Sequence, residues 1–213
     1  MLGPRFDEAL TYASNLHREQ TRKHSAIPYV AHLLAVCSLV LEHGGDEPQA
    51  VAALLHDGPE DQGGEATLTD IRGRFGDDVG DLVAACSEPL HHGKSAWQER
   101  KEAFLDHLTT VPPRALLIIA ADKVHNARSI VADHAVIGGE IFNRFNGGVA
   151  GTKWYYRQLA TVLGSRIKLI SRRGVRLRRP RLPAPARQAV SMGQSQRETS
   201  SPATAAPCRD RGR

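Results

Sequence analysis

Apolar residues recur at helical spacing along most of this chain. The first segment, for example, places Phe6, Leu10, Ala13 and Leu16 three or four residues apart, which is the spacing of one helix face. No run of Val, Ile and Thr alternates with polar residues between Asn-Gly or Asp-Gly turns, so strand signals are almost absent. The sequence therefore predicts an all-α bundle of about eight helices.

Proline and glycine divide this pattern into segments. Pro28 suits the first turn of a helix that ends before Gly44 and Gly45, and Pro48 suits the first turn of the next helix. Residues 87–96 are predicted to form a loop. The predicted helices cover residues 6–16, 28–42, 48–55, 67–75, 77–86, 97–108, 113–136 and 154–170.

Charge is unevenly distributed along the chain. Residues 1–164 hold 15 Lys and Arg against 21 Asp and Glu, whereas residues 165–213 hold 13 against 2. The basic pI of 9.4 is thus a property of the C-terminal part, and the mildly acidic body argues against a nucleic-acid surface there. Because residues 172–213 are rich in Arg, Pro and Ser, we predict a domain over 1–171 and a disordered tail over 172–213. The clustered Arg residues make this tail the segment that could bind RNA or acidic lipid.

Cysteine usage and the N-terminal residues bear on the compartment. Cys37, Cys86 and Cys208 are far apart and odd in number, which is typical of a reducing environment. The opening MLGPRFDEAL has no apolar signal core, and the longest purely apolar run, residues 115–121, is too short to span a bilayer. We therefore expect a soluble, cytoplasmic protein without a membrane segment.

The stretch AALLHDGPED, residues 52–61, joins an apolar segment to two pairs of polar residues. Pro59 removes a helical hydrogen bond, so the helix should end or kink near His56 and Asp57. A helix end that leaves the core with an imidazole and carboxylates suits a metal site at the bottom of a cleft. Taken alone, the pattern also fits a capped helix end with solvated Glu60 and Asp61.

Two further segments supply the same kinds of group. PYVAH places His32 near the start of a helix, and AADKVHNAR places Asp122 directly after an apolar run, with Asn126 one turn later on the same face. Two imidazoles and two carboxylates form a mixed nitrogen and oxygen donor set, which suits Mn²⁺, Fe²⁺ or Zn²⁺.

The order and spacing of these segments resemble those of HD-domain metal-dependent phosphohydrolases. The finer resemblance is to the (p)ppGpp hydrolase domain of the Rel/Spo alarmone enzymes and to small stand-alone relatives such as the metazoan SpoT homologues. It covers roughly residues 5–164. It is carried by HREQTRKHSAIPYVAHL (17–33), AALLHDGPED (52–61), FGDDVGDLV (75–83), WQERKEAFLDHL (97–108), LLIIAADKVHNAR (116–128) and RFNGGVAGTKWYYR (144–157).

The resemblance implies a single bound divalent ion, usually Mn²⁺, with Fe²⁺ or Zn²⁺ as alternatives. The four residues that match the family's protein ligands are His32, His56, Asp57 and Asp122. An ion held by four side chains keeps positions open for water and for a phosphate oxygen.

The same resemblance implies roles for five other residues. Glu60 and Asp61 match a pair that orients or deprotonates the attacking water. Asn126 would contact substrate or support the ligands, and Arg22 and Lys23 match a basic pair near the guanine base. Ala26 stands where the family commonly has Gly, which bears on base recognition rather than on the metal.

The activity that the resemblance implies is hydrolysis of the 3′-pyrophosphate of (p)ppGpp to GDP or GTP and pyrophosphate, without a covalent enzyme intermediate. Two alternatives stay open at the level of sequence. One is an HD phosphohydrolase that acts on another nucleotide, such as NADPH or a nucleoside phosphate, since the metal chemistry is shared. The other is a non-catalytic nucleotide sensor.

Overall fold

A computed structural model of the protein describes residues 1–23, 25–87 and 97–172, with the side chains of residues 169–172 excepted. The predicted tail over 172–213, apart from the backbone of Arg172, and most of the predicted loop over 87–96 lie outside the described residues. The domain boundary at residue 171 therefore stays a prediction.

The described residues form an all-α fold, as predicted. Nine α-helices are present in these ranges, and because one of them is a single turn, the expected number of about eight is confirmed. They are α1 (Pro4–Leu16), α2 (Val30–Glu42), α3 (Glu47–Leu55), α4 (Gly58–Asp61), α5 (Gly64–Phe75), α6 (Asp77–Cys86), α7 (Trp97–His107), α8 (Pro113–Ile137) and α9 (Gly148–Arg172), with a 3₁₀ helix (Gly138–Arg144) between α8 and α9.

Extended pairing is minimal within the described ranges. It consists of one isolated antiparallel bridge between Thr21 and Pro28, in the connection from α1 to α2. Within the same ranges, none of the helices combines the length and the apolar character that a membrane span requires.

Helix α3 forms the centre of the fold. It begins with a capping box, in which the Asp46 carboxylate accepts from the Gln49 N–H and the Gln49 side chain accepts from the Asp46 N–H. Every residue from position 49 to Leu55 is buried, and the helix packs against α1, α2, α6 and α8. Because α3 ends at Leu55, four residues before Pro59, the predicted break falls where His56 and Asp57 leave the core.

Helix α9 departs most from the sequence prediction, because it begins at Gly148 rather than near Trp154. A Cβ added to Gly147 would lie 2.6 Å from the Trp97 indole, and one added to Gly151 would lie 2.9 Å from it. The glycines thus let the start of α9 approach Trp97 of α7 closely. This packing outweighs the low helix propensity of glycine, which is about 1 kcal/mol per residue.

Candidate metal centre

The four residues predicted as metal ligands come from two helices and one break between helices. His32 lies in the first turn of α2, His56 and Asp57 lie between α3 and α4, and Asp122 lies in the middle of α8. His32, His56 and Asp122 are buried, and Asp57 is half-buried. The packing of α2, α3 and α8 against one another therefore brings residues 90 positions apart in sequence to one place.

Their side chains converge around Asp57 and Asp122. Asp57 Oδ2 lies 3.3 Å from His32 Nε2 and 3.2 Å from His56 Nε2. Asp122 Oδ1 lies 3.3 Å from His32 Nε2 and 4.0 Å from His56 Nε2. Ligand atoms of His32, His56 and Asp57 all lie within 4.8 Å of one another, and Asp122 adjoins this group.

The histidine rings are oriented through their other nitrogens. His56 Nδ1 donates to the Ala53 carbonyl at 2.9 Å, which leaves the Nε2 lone pair directed into the cluster. His32 Nδ1 lies 2.7 Å from His125 Nδ1, so one of these nitrogens donates to the other. Both Nε2 atoms are buried and lack a hydrogen-bond partner within the described residues. Two such nitrogens beside two carboxylates fit a divalent cation.

The two carboxylates are held ionised and fixed in orientation. Asp57 Oδ2 accepts from the Tyr29 hydroxyl at 2.7 Å, and Asp122 accepts from the Asn126 amide and pairs with Lys123 Nζ at 2.8 Å. Burial acts to raise the pKa of Asp57, but the neighbouring imidazoles of His56 and His32 outweigh it and lower that pKa to about 2.

The pKa of Asp122 is likewise well below its ordinary value, because Lys123 and the histidines outweigh the effect of burial. Burial of His32 acts to lower the pKa of its imidazole, but the carboxylates of Asp122 and Asp57, each 3.3 Å from Nε2, outweigh it and raise that pKa. The cluster thus attracts positive charge, which is the property a cation site needs.

Three of these supporting residues, Tyr29, Lys123 and His125, were not predicted as part of the site. Lys123 and His125 follow Asp122 closely in AADKVHNAR, so the signal was adjacency to a predicted ligand. Burial, together with the charges of His32 and Arg22, lowers the pKa of His125 to about 4. His125 is therefore neutral near pH 7 and can accept the proton of His32 Nδ1.

The predicted acidic pair lies on the helical turn that follows Asp57. Glu60 and Asp61 are both exposed on the single turn of α4. Asp61 N–H donates to the Asp57 carbonyl at 2.9 Å, and Asp61 Oδ2 accepts from Gln20 Nε2 at 2.8 Å. The pair is thus one turn away from a predicted ligand, and its catalytic role stays a prediction.

A cavity of about 460 Å³ adjoins the cluster. It is lined in part by the three residues predicted to bind substrate, Arg22, Lys23 and Asn126. Arg22 donates to Asn126 Oδ1 at 2.7 Å, and its guanidinium carbon lies 5.9 Å from the centre of the Tyr29 ring. The charged residues that line the cavity are mostly cationic, and Asp133 is the acidic one among them. The lining cations are Arg22, Lys23, Arg100, Lys101, Lys123 and Arg144.

Comparison with known proteins identifies the family. A model of the HD domain matches residues 9–145, which is well over half of the chain. The chain belongs to the HD-domain family. The match extends from α1 to the 3₁₀ helix and therefore includes all four predicted ligands of this HD domain.

Relatives of this HD-domain protein fall into short and long chains. A guanosine-3′,5′-bis(diphosphate) 3′-pyrophosphohydrolase MESH1 of Drosophila melanogaster is 36% identical over 129 residues, which is 59% of this chain and 69% of the relative. A GTP pyrophosphokinase of Streptomyces antibioticus is 37% identical over 126 residues. That match covers 58% of this chain but only 14% of the length of the relative.

Solved structures also match this chain. A structure described as a metazoan orthologue of SpoT that hydrolyses ppGpp matches with a TM-score of 0.56 and 27% identity. The match covers 83% of this chain and 99% of that chain. A protein of Listeria monocytogenes matches with a TM-score of 0.56 and 33% identity, over 62% of this chain and 82% of the other.

Proposed function

We propose that this HD-domain protein is a metal-dependent phosphohydrolase that removes the 3′-pyrophosphate of ppGpp or pppGpp. The products are pyrophosphate and GDP or GTP. The observation that carries the proposal is the pair of buried, unpartnered imidazole nitrogens that face Asp57 and Asp122 beside a cationic cavity. The relatives named as ppGpp 3′-pyrophosphohydrolases support the choice of substrate.

We propose Mn²⁺ as the resident cation, with Fe²⁺ and Zn²⁺ as its competitors, because the donor set mixes nitrogen and carboxylate oxygen. His32, His56, Asp57 and Asp122 would hold it. When bound, such an ion polarises a phosphate oxygen and lowers the pKa of a water molecule. The side chains that support the ligands, such as Tyr29 on Asp57, would hold them in place during the reaction.

In the proposed reaction, a water molecule attacks the phosphorus that is bonded to the ribose 3′-oxygen. Glu60 and Asp61 orient this water and accept its proton, because a carboxylate can act as a general base. A new bond forms between the water oxygen and phosphorus, the bond from phosphorus to the 3′-oxygen breaks, and that oxygen takes up a proton. The reaction needs no covalent enzyme intermediate.

The cavity suits a polyanionic nucleotide. Its volume of about 460 Å³ falls within the range of roughly 300–1,000 Å³ that is usual for small-molecule sites. Six cationic side chains can bind phosphate groups, and the planar guanidinium of Arg22 can stack on a base. We propose that Arg22, Lys23 and Asn126 bind the nucleotide there, and that the protein acts in the cytoplasm.

A panel of nucleotides with product analysis tests the proposal. The panel contains ppGpp, pppGpp, NADPH and 3′-phosphorylated nucleosides, each assayed with Mn²⁺ and with Zn²⁺. The proposal expects pyrophosphate and GDP from ppGpp at a higher kcat/KM than any product from the other compounds. Preferred release of phosphate from NADPH would favour the other-nucleotide alternative, since the cations of the cavity bind phosphates whatever the base. Binding of ppGpp without turnover would indicate a sensor.

A further inference from the structure

The side chain of Gln20 connects Asp61 to the interior of the protein. Gln20 Nε2 donates to Asp61 Oδ2 at 2.8 Å. At its other end, Gln20 Oε1 accepts from Gln62 Nε2 at 2.6 Å and lies 2.6 Å from His17 Nδ1. Because a carboxylate only accepts and the Gln62 amide nitrogen only donates, a single orientation of the Gln20 amide satisfies all three contacts.

The backbone of Gln20 is hydrogen-bonded on both sides. Its N–H donates to the His17 carbonyl at 3.1 Å, and its carbonyl accepts from the Tyr29 N–H at 2.9 Å. The His17 ring is buried and stacks on the Tyr29 ring, with 5.1 Å between centres and 18° between planes. The Tyr29 hydroxyl in turn donates to Asp57. Gln20 is thus connected through Tyr29 to a predicted metal ligand.

The turn that carries Asp61 has little stability of its own. Helix α4 has only four residues, and it is followed by Gly63 and Gly64, whose φ angles are +136° and +62°. Isolated turns of this length do not persist in water, because helix nucleation is unfavourable. The hydrogen bond from Gln20 to Asp61 therefore contributes to the orientation of an exposed carboxylate on a short, glycine-flanked turn.

We propose that Gln20 is a positioning residue that holds the Asp61 carboxylate towards the metal centre, so that it can take the proton of the attacking water. The inference rests on the proposed function, since it assigns a role within the same site. Within the described residues, the hydrogen bonds of Gln20 go to His17, Tyr29, Asp61 and Gln62, none of which is a predicted metal ligand. Gln20 should therefore act on kcat rather than on metal affinity.

A double-mutant cycle tests whether Gln20 acts through Asp61. Gln20→Ala and the isosteric Gln20→Glu, which lacks the donor, are each made in the native protein and in Asp61→Ala. We expect kcat for ppGpp to fall by about 10-fold or more in the native background, with the affinity for Mn²⁺ unchanged. In Asp61→Ala the same changes should lower kcat by less than about twofold, because the interaction is already lost. Glu19→Ala, an exposed neighbour, is the matched control and should match the native protein.

Equal losses in both backgrounds, or a loss that appears as weaker Mn²⁺ binding, would overturn the inference. A second measurement does not depend on the substrate. Amide hydrogen exchange over residues 58–64 should be faster in Gln20→Ala than in the native protein and in Glu19→Ala. If the exchange rates were unchanged, that result alone would show that Gln20 does not hold the turn that carries Asp61. Absence of turnover in the native protein would overturn the proposed function, and with it the catalytic role of Gln20.

Discussion

The inner and outer parts of the site are built differently. The inner part consists of His32, His56 and Asp122 on or beside long helices, all buried and all contacted by other side chains. The outer part consists of exposed or half-buried groups, such as Asp61 on a single helical turn and Lys23 in a connection. The inner part is thus preformed by the packing of the core, whereas the outer part depends on individual side-chain hydrogen bonds. The following changes separate the two.

Removal of the cation should affect the inner part most strongly. In a chelated, dialysed sample we expect hydrolysis of ppGpp to fall by about 10³-fold or more, because electrostatic stabilisation of the transition state is lost. Helix content by circular dichroism should stay the same, since the core is apolar. Adding Mn²⁺ at about 100 times its Kd should restore activity and stabilise the fold by about 2.7 kcal/mol. Full activity in the metal-free protein would contradict this account.

Truncation of Leu54 tests whether the core supports the inner part. Leu54 is fully buried in α3, two residues before His56. We expect Leu54→Ala to lower the free energy of unfolding by about 2–5 kcal/mol, through lost burial and a cavity. Leu34→Ala, at a leucine that is 46% exposed, is the matched control and should change it by about 0.5 kcal/mol or less. Urea unfolding of the metal-free variants measures both free energies. Equal losses in the two variants would show that the core around Leu54 does not stabilise the inner part more than the surface does.

His125 offers a test of ligand orientation. We expect His125→Ala to weaken Mn²⁺ binding by about 10- to 100-fold, because His32 Nδ1 loses its acceptor. His125→Asn keeps an oxygen acceptor near the position of Nδ1 and should lose less. Titration calorimetry with Mn²⁺ measures both variants without any substrate. Equal binding by both variants and the native protein would mean that His125 does not orient His32.

Arg22 and Arg74 form a matched pair for the outer part, because each places its guanidinium over a tyrosine ring, at 5.9 Å and 5.4 Å. Arg22 lines the cavity, whereas Arg74 pairs with Asp70 elsewhere. We expect Arg22→Ala to raise KM for ppGpp by about tenfold, as one phosphate or base contact is lost. Arg74→Ala should leave KM unchanged. A similar rise in both variants would indicate a general effect of charge.

The inner part could be predicted from the sequence because its residues are tied to a helix boundary or to an apolar run. Pro59 predicted the break after α3, and Asp122 stood out because it directly follows an apolar run. In the structure, carboxylate oxygens of Asp57 and Asp122 lie 3.2–4.0 Å from the Nε2 atoms of His32 and His56.

The outer part could be predicted only in part. Arg22 and Lys23 were found through their resemblance to a family motif, but Arg100, Lys101 and Arg144 were not singled out. These three side chains reach the cavity only because α7 and the 3₁₀ helix pack near α8 and α9, and sequence spacing does not encode that packing. The early start of α9 was missed for the same reason, since it depends on contact between Trp97 and distant glycines.

The most direct test of the central claim is turnover of ppGpp with added Mn²⁺, by the native protein and by Asp57→Ala side by side. GDP and pyrophosphate are resolved as products, and circular dichroism confirms that both proteins are folded. The account predicts Mn²⁺-dependent release of pyrophosphate by the native protein and its loss in the variant. Undiminished hydrolysis by a folded Asp57→Ala variant would contradict the assignment of the site.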